Sequence, residues 1–121
     1  MLFIHPVPFE RLEELRRAQG APASMFCCEA EQDGQSEGFV LFDGRGGVLT
    51  VTALCCAEGL ADALLRAAFN AGQMAGMTRF AFSTGVADLW RGTLRRLAYP
   101  LEGGEIEAFF ARGGCGCHGA R

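Results

Sequence analysis

The chain has 121 residues and a mass of 13.0 kDa, which suffices for one domain with a hydrophobic core and is too short for two. Half of the residues are apolar and 21% are charged, which excludes an intrinsically disordered chain. The formal net charge of -3 argues against nucleic acid or an anionic membrane as a partner. Lysine is absent, and this excludes Schiff-base and general-base chemistry by a lysine side chain.

Neither a membrane span nor an export signal is evident. No segment approaches the ~20 consecutive apolar residues that cross a bilayer. The first eight residues lack a basic flank and a small-residue cleavage site, so they do not resemble a signal peptide. We therefore expect a cytoplasmic protein, whose six cysteines are free thiols or metal ligands rather than a disulfide framework.

The N-terminal half predicts an edge strand, a helix and a three-stranded meander. Prolines confine residues 2–7 to an edge strand, and residues 9–18 have apolar side chains at helical spacing. The turn sequences Asp33-Gly34 and Asp43-Gly44 then separate three predicted strands. These strands cover residues 25–32, 38–42 and 48–55.

The C-terminal half predicts a long, largely buried helix over residues 59–76, because its polar side chains form a single narrow stripe. A strand at 78–83, a helix at 86–97 and two short strands at 98–102 and 105–112 follow. We expect residues 1–112 to form one domain and residues 113–121 a flexible tail rich in glycine and cysteine.

These elements predict an α/β (α+β) fold with a mixed, mostly antiparallel sheet flanked by helices. The third meander strand and the strand after the long helix should form its one parallel pair, joined by a right-handed crossover. Threading the chain onto this sheet places Cys27 and Cys28 level with Val48. Cys55 and Cys56 should then lie at the opposite edge of the sheet.

The segment GLADALLRAAFNAGQMAG followed by MTRFAFS, within this order of elements, resembles the GCN5-related N-acetyltransferase (GNAT) superfamily. The resemblance implies an acyl-CoA-dependent N-acyltransferase that uses acetyl-coenzyme A (acetyl-CoA) and a small-molecule or protein amine as acceptor. It also implies that backbone amides of the third meander strand stabilise an oxyanion. The implied cofactor-binding residues are Leu54, Cys55, Cys56, Gly59, Leu60 and Ala61.

The start of the long helix has a physical reason to bind phosphate. The first backbone N–H groups of a helix lack internal partners and lie at the positive end of its dipole. The amides of Gly59, Leu60 and Ala61 are the candidate donors. In the alternative interpretation, Gly59 only makes a tight turn and Ala61 only packs.

Several positions depart from the family pattern. Cys56 stands where the motif opens with Gln or Arg, and Glu58 places a negative charge beside the proposed phosphate site. Residues 48–54 contain no acidic side chain to act as base, and Leu94 occupies the position of the family's tyrosine acid, although Tyr99 lies nearby. The catalytic residues are therefore unassigned, and a catalytically degenerate GNAT-like binding or assembly module is the second hypothesis.

Thiols support a third hypothesis, a metal-binding or redox protein. Cys55 and Cys56 precede a helix N-terminus, which favours a thiolate, although either could simply be a small apolar residue. Cys115, Cys117 and His118 could bind a soft metal, or be incidental groups of a loose tail. His5 is expected to be a surface histidine. Arg91, Arg95 and Arg96, on the helix predicted at 86–97, either meet a coenzyme A phosphate or form a solvated face, and a homodimer is left open.

Overall fold

The computed structural model describes residues 1–20 and 25–117. Six strands form one sheet in the order β1-β2-β3-β4-β5-β6. The strands are β1 (Leu2–Pro6), β2 (Met25–Gln32), β3 (Gln35–Arg45), β4 (Val48–Cys56), β5 (Arg79–Phe82) and β6 (Gly104–Glu105). The helices are α1 (Phe9–Gln19), α2 (Ala61–Met74), α3 (Thr84–Leu89), α4 (Arg91–Arg96) and α5 (Ile106–Cys117), with a short 3-10 helix at Glu58–Leu60. Among the described residues, no helix is both long and apolar enough to cross a membrane.

The sheet has the predicted mixed topology. Neighbouring strands pair antiparallel except β4 and β5, which are parallel from Val48 opposite Arg79 to Val51 opposite Phe82. Helix α2 is the crossover that makes this parallel arrangement possible, since two parallel neighbours cannot be joined by a tight turn. The predicted fold class is confirmed.

The main core lies between α2 and one face of the sheet. Helix α2 buries a face of small and large apolar side chains that includes Ala61, Leu64 and Phe69. The Phe69 ring is fully buried and stacks on Phe80 with ring centroids 4.5 Å apart. A Cβ on Gly72 would lie 2.5 Å from Cδ1 of Leu49, so this glycine lets the helix approach β4 closely.

A smaller apolar cluster lies on the opposite face of the sheet, under α1. It joins Leu12 of α1 to Val7, Met25, Cys27 and Leu41. Both faces of β2 are therefore covered near its start. This explains why Cys27 and Cys28, which point to opposite faces, are both buried.

The region after β5 differs from the prediction. The single helix expected at 86–97 is divided at Trp90 into α3 and α4. The strand expected at 98–102 is wrong, because a turn occupies these residues and Ala98 has a positive φ of 67°. The strand expected at 105–112 is also wrong, since only Gly104–Glu105 pairs with β5 before α5 begins.

Helix α5 has a physical signal that the sequence interpretation missed. Ile106, Phe109 and Phe110 are spaced as on one face of a helix, and all three pack against the main core. The predicted tail boundary at residue 113 falls within α5, and residues 118–121, including His118, lie outside the described residues.

The predicted separation of the cysteine pairs is wrong. Cys27 pairs with Leu41, which pairs with Ala53, so Cys27 lies level with Ala53 and not with Val48. Strand β3 extends beyond the start of β2, and β4 gains an extra residue at a bulge between the partners of Leu41 and Phe42. The two cysteine pairs are consequently close along the strand direction.

Candidate functional site

Strand β4 has an open edge beyond Val51. Its pairing with β5 ends where the Ser83 N–H donates to the Val51 carbonyl at 2.9 Å, and α3 begins immediately afterwards. Residues 52–56 therefore have no strand partner on that side within the described part of the chain. The edge ends at the turn that leads into α2.

Leu54 presents backbone groups along this edge. Its carbonyl accepts a hydrogen bond from the Trp90 indole at 3.1 Å, so the carbonyl points toward the open side. In a strand the N–H and C=O of one residue point to the same neighbour, and the Leu54 amide therefore lies on the open side as well. The Leu54 side chain itself is buried in the main core.

The two cysteines that follow differ in environment. Cys55 is exposed, whereas Cys56 is half-buried and burial raises its pKa to about 11. Burial likewise raises the pKa of Cys27 to about 12 and that of Cys28 to about 11. A helix-activated thiolate was one interpretation of this segment, but at Cys56 the desolvation of the thiol opposes it.

The turn between β4 and α2 is a 3-10 helix that engages most of its own amides. The Leu60 N–H donates to the Ala57 carbonyl at 2.9 Å, and the Ala61 N–H donates to the Glu58 carbonyl. The Gly59 amide makes no such bond within the described residues. Gly59 is exposed, with open space where a Cβ would stand, whereas Ala61 is fully buried. Of the three predicted phosphate donors, the geometry leaves Gly59 accessible.

Solved acetyltransferases share this arrangement of strands and helices. A coenzyme A complex of an aminoglycoside N-acetyltransferase superposes with a TM-score of 0.64 at 16% identity, covering 84% of this chain and 90% of that one. A GNAT-family acetyltransferase from Desulfovibrio desulfuricans gives 0.59 at 11% identity, covering 87% and 96%. The ribosomal-protein-S18-alanine N-acetyltransferase of Escherichia coli gives 0.57 at 15%, covering 78% and 76%.

This chain has the GNAT fold. No protein-family model and no curated protein sequence matches it, so the likeness rests on the three-dimensional arrangement. The open edge of β4 and the turn into α2 thus belong to a GNAT fold whose sequence is only 11–16% identical to these neighbours.

The turn that leads into α2 carries an anion of its own. The Glu58 carboxylate accepts a hydrogen bond from Oγ1 of Thr93 at 2.7 Å, and it forms an ion pair with Arg96 at 2.8 Å. These contacts hold the pKa of Glu58 below its usual value. The three residues of this cluster also line a cavity of about 280 Å³, together with Gly59, Asp62 and Leu97. An anionic ligand at this turn would be repelled by the Glu58 carboxylate, which already engages the donors Thr93 and Arg96.

Tyr99, the single tyrosine, has a structural role in the GNAT fold. Its hydroxyl is buried and donates to a carboxylate oxygen of Asp62 at 2.6 Å. Burial and this bond raise the pKa of the Tyr99 hydroxyl far above its ordinary value. Tyr99 therefore ties the loop after α4 to the start of α2, and Leu94, which the resemblance placed at the position of the tyrosine acid, is fully buried.

The arginines of α4 are divided between the site and the solvent. Arg96 contacts Glu58 at the turn, whereas Arg91 pairs with Asp88 at 2.8 Å on the exposed surface. Arg95 is exposed. Only Arg96 among the predicted phosphate contacts therefore faces the cavity at the start of α2.

A buried carboxylate on β2 was missed by the sequence interpretation. Glu29 is 3% exposed and forms an ion pair with Arg11 of α1 at 2.7 Å. Glu29 lies two positions from Cys27 and therefore on the same face of β2. Helix α1 covers that face, which buries the Glu29 side chain.

Proposed function

We propose that the protein is an acyl-CoA-dependent N-acyltransferase that transfers an acetyl group to an amine. The observation that supports this most strongly is the open edge of β4, which ends at the exposed Gly59 of the turn into α2. Bound along this edge, acetyl-CoA supplies a thioester whose carbonyl carbon is open to attack by an amine. The C–N bond forms as the C–S bond breaks, and the proton lost by the amine balances the thiolate.

The chain contributes binding and polarisation. The Leu54 amide is the donor for the oxygen that becomes negative during attack, and such backbone donors are worth about 10²–10³ in rate. Arg96 and Thr93 are donors for a phosphate at the other end of the edge, beside Gly59. These groups fit a ligand that is extended along a strand and anionic at one end.

Two contacts within the chain compete with that ligand. Glu58 holds Thr93 and Arg96, and Trp90 holds the Leu54 carbonyl. We expect the affinity for coenzyme A to be about ten- to hundredfold weaker than it would be at a site without a competing carboxylate. Binding therefore requires Glu58 to turn away from Arg96.

A second candidate is a module with the same fold that binds acyl-CoA without transferring the acyl group. Two observations favour it: β4 carries no acidic side chain, and Tyr99 is engaged by Asp62. The acceptor amine then has no base at the open edge of β4. If transfer occurs, the amine must arrive already neutral, so the rate should rise with pH through the acceptor's own pKa.

The decisive experiment measures binding and transfer separately. Titration calorimetry with acetyl-CoA and with coenzyme A measures binding. Mass spectrometry of the acceptor measures transfer to a polyamine, an aminoglycoside or a peptide with a free N-terminus. Reagents that detect the free thiol of released coenzyme A are unsuitable for measuring transfer, because they would also react with the exposed Cys55. Binding with transfer supports the enzyme, binding without transfer supports the module, and the absence of binding at millimolar ligand overturns both.

A further inference from the structure

Three side chains that can ligate a metal converge on the outer two strands of the sheet. His5 of β1 lies opposite Glu29 of β2, and Glu31 lies two residues further along β2. One ring nitrogen of His5 and one carboxylate oxygen from each glutamate lie within 4.8 Å of one another. The shortest of these contacts joins Nε2 of His5 to Oε1 of Glu31 at 2.9 Å.

His5 is oriented in the manner of a ligating histidine. Its Nδ1–H donates to the Pro6 carbonyl at 3.0 Å, which turns Nε2 toward the carboxylates. Metal-binding histidines usually donate their second ring N–H to a carbonyl or carboxylate, because this fixes both the tautomer and the ring plane. The expected surface histidine is thus half-buried and directed into a cluster.

Glu29 is the second observation that favours a bound cation. Its side chain is 4% exposed, yet only Oε2 is engaged, by Arg11 at 2.7 Å. The other carboxylate oxygen accepts no hydrogen bond from the described residues, and it is not a buried unpaired atom, so it reaches solvent and is open to a ligand. Arg11 balances the charge of this carboxylate through one oxygen. The other oxygen is available to a metal ion.

We propose that His5, Glu29 and Glu31 bind one divalent transition-metal ion, with Zn²⁺ as the best match. An imidazole ligand favours Zn²⁺ over Mg²⁺ or Ca²⁺, and the two carboxylates supply the oxygen ligands that Zn²⁺ also accepts. Three protein ligands leave a position for water. The ion joins the edge strand β1 to β2. The site lies two strands away from β4 and does not depend on the proposed acyl transfer.

Cobalt titration of the full chain tests the site. Co²⁺ bound by nitrogen and oxygen gives visible d–d bands without the thiolate charge-transfer band that cysteine ligands produce. We expect one Co²⁺ per chain, displaced by Zn²⁺. His5→Gln and Glu31→Gln should each weaken binding by about 100-fold or more, because even outer-shell changes cost 10–100-fold. Glu37→Gln, an exposed glutamate on β3, is the matched control and should bind as the parent does.

Stability supplies a readout that does not use the spectrum. Saturating Zn²⁺ should raise the unfolding temperature of the parent and of Glu37→Gln, and leave that of His5→Gln unchanged. Circular dichroism without metal checks that each variant is folded. Binding that survives His5→Gln and Glu31→Gln but is lost in a Cys115→Ser/Cys117→Ser variant would assign the ion to the thiols and overturn the proposal. Absence of Co²⁺ binding at millimolar concentration would do the same.

Discussion

The indole N–H of Trp90 donates to the backbone carbonyl of Leu54 at 3.1 Å, although the two residues are 36 positions apart in sequence. Trp90 lies at the junction of α3 and α4, and its half-buried ring crosses to the edge of β4 that none of the described strands covers. A ligand that pairs with Leu54 through an amide N–H needs the same carbonyl. The indole is therefore an internal competitor for that ligand.

Trp90→Phe should raise the affinity for acetyl-CoA. The variant keeps an aromatic ring and removes one neutral hydrogen bond, worth about 0.5–1.5 kcal/mol, or roughly two- to tenfold in affinity. Calorimetry measures the affinity, and urea unfolding should show a loss of stability of about 1 kcal/mol. Leu89→Ala, at an exposed neighbouring position, is the control and should change neither. A lower affinity in Trp90→Phe would mean that the indole supports the ligand.

Glu58→Gln should also tighten coenzyme A binding, by removing the anion beside Arg96. We expect the affinity for coenzyme A to rise about tenfold, which is the lower end of the range estimated above for the competing carboxylate. Glu107→Gln changes the net charge equally at an exposed position on α5 and is the matched control. An equal gain in both variants would show that the effect comes from overall charge and not from the turn.

The contribution of Glu58 to stability should depend on pH. The hydrogen bond from Thr93, and then Arg96, lower the pKa of Glu58 in the folded protein. The stabilisation is therefore fully present above the unfolded value of about 4.3, and it is lost as the pH falls through the lower folded value. Urea unfolding of the parent and of Glu58→Gln from pH 7 to pH 3 should show the difference between them shrinking in acid. A constant difference would contradict the assigned contacts.

Cys55 should be alkylated first among the four cysteines whose side chains are described. It is exposed, whereas burial raises the pKa of Cys27, Cys28 and Cys56 and restricts access to them. Iodoacetamide at pH 8 followed by peptide mapping should show Cys55 modified at least about tenfold faster than the other three. Denaturant should abolish the difference. Rapid labelling of Cys27 in the folded chain would show that α1 does not cover it.

Tyr99→Phe should lower stability without changing the pH dependence of any acyl transfer. The variant loses a buried hydrogen bond to the Asp62 carboxylate, and bonds to charged groups are worth about 1.5–3 kcal/mol. Chemical unfolding measures the loss, and the rate of acceptor acetylation across pH measures the second point. A change in the shape of the pH profile would instead place the hydroxyl in the chemistry.

Local sequence patterns determined most of the sheet. The turn residues at Asp33-Gly34 placed the first hairpin, because its geometry depends on neighbours in sequence. The polar stripe of α2 identified a helix buried on one side, and the right-handed crossover rule made β4 and β5 parallel. The same local reasoning failed at residues 105–112. There a helix rather than a strand forms: the helical spacing of Ile106, Phe109 and Phe110 is present in the sequence, but it was interpreted as a strand.

Tertiary structure alone decided the chemistry of the candidate site. Glu58 meets Thr93, Leu54 meets Trp90, and Tyr99 meets Asp62, and each pair is separated by 35 to 37 residues. No periodicity within one element encodes such contacts. They depend on how the segment after β5, which contains α3 and α4, packs against the end of β4 and the start of α2. Burial of Glu29 has the same origin, because α1 covers its face of β2. Sequence determines which side chains are available, and the packing of distant elements determines which of them meet.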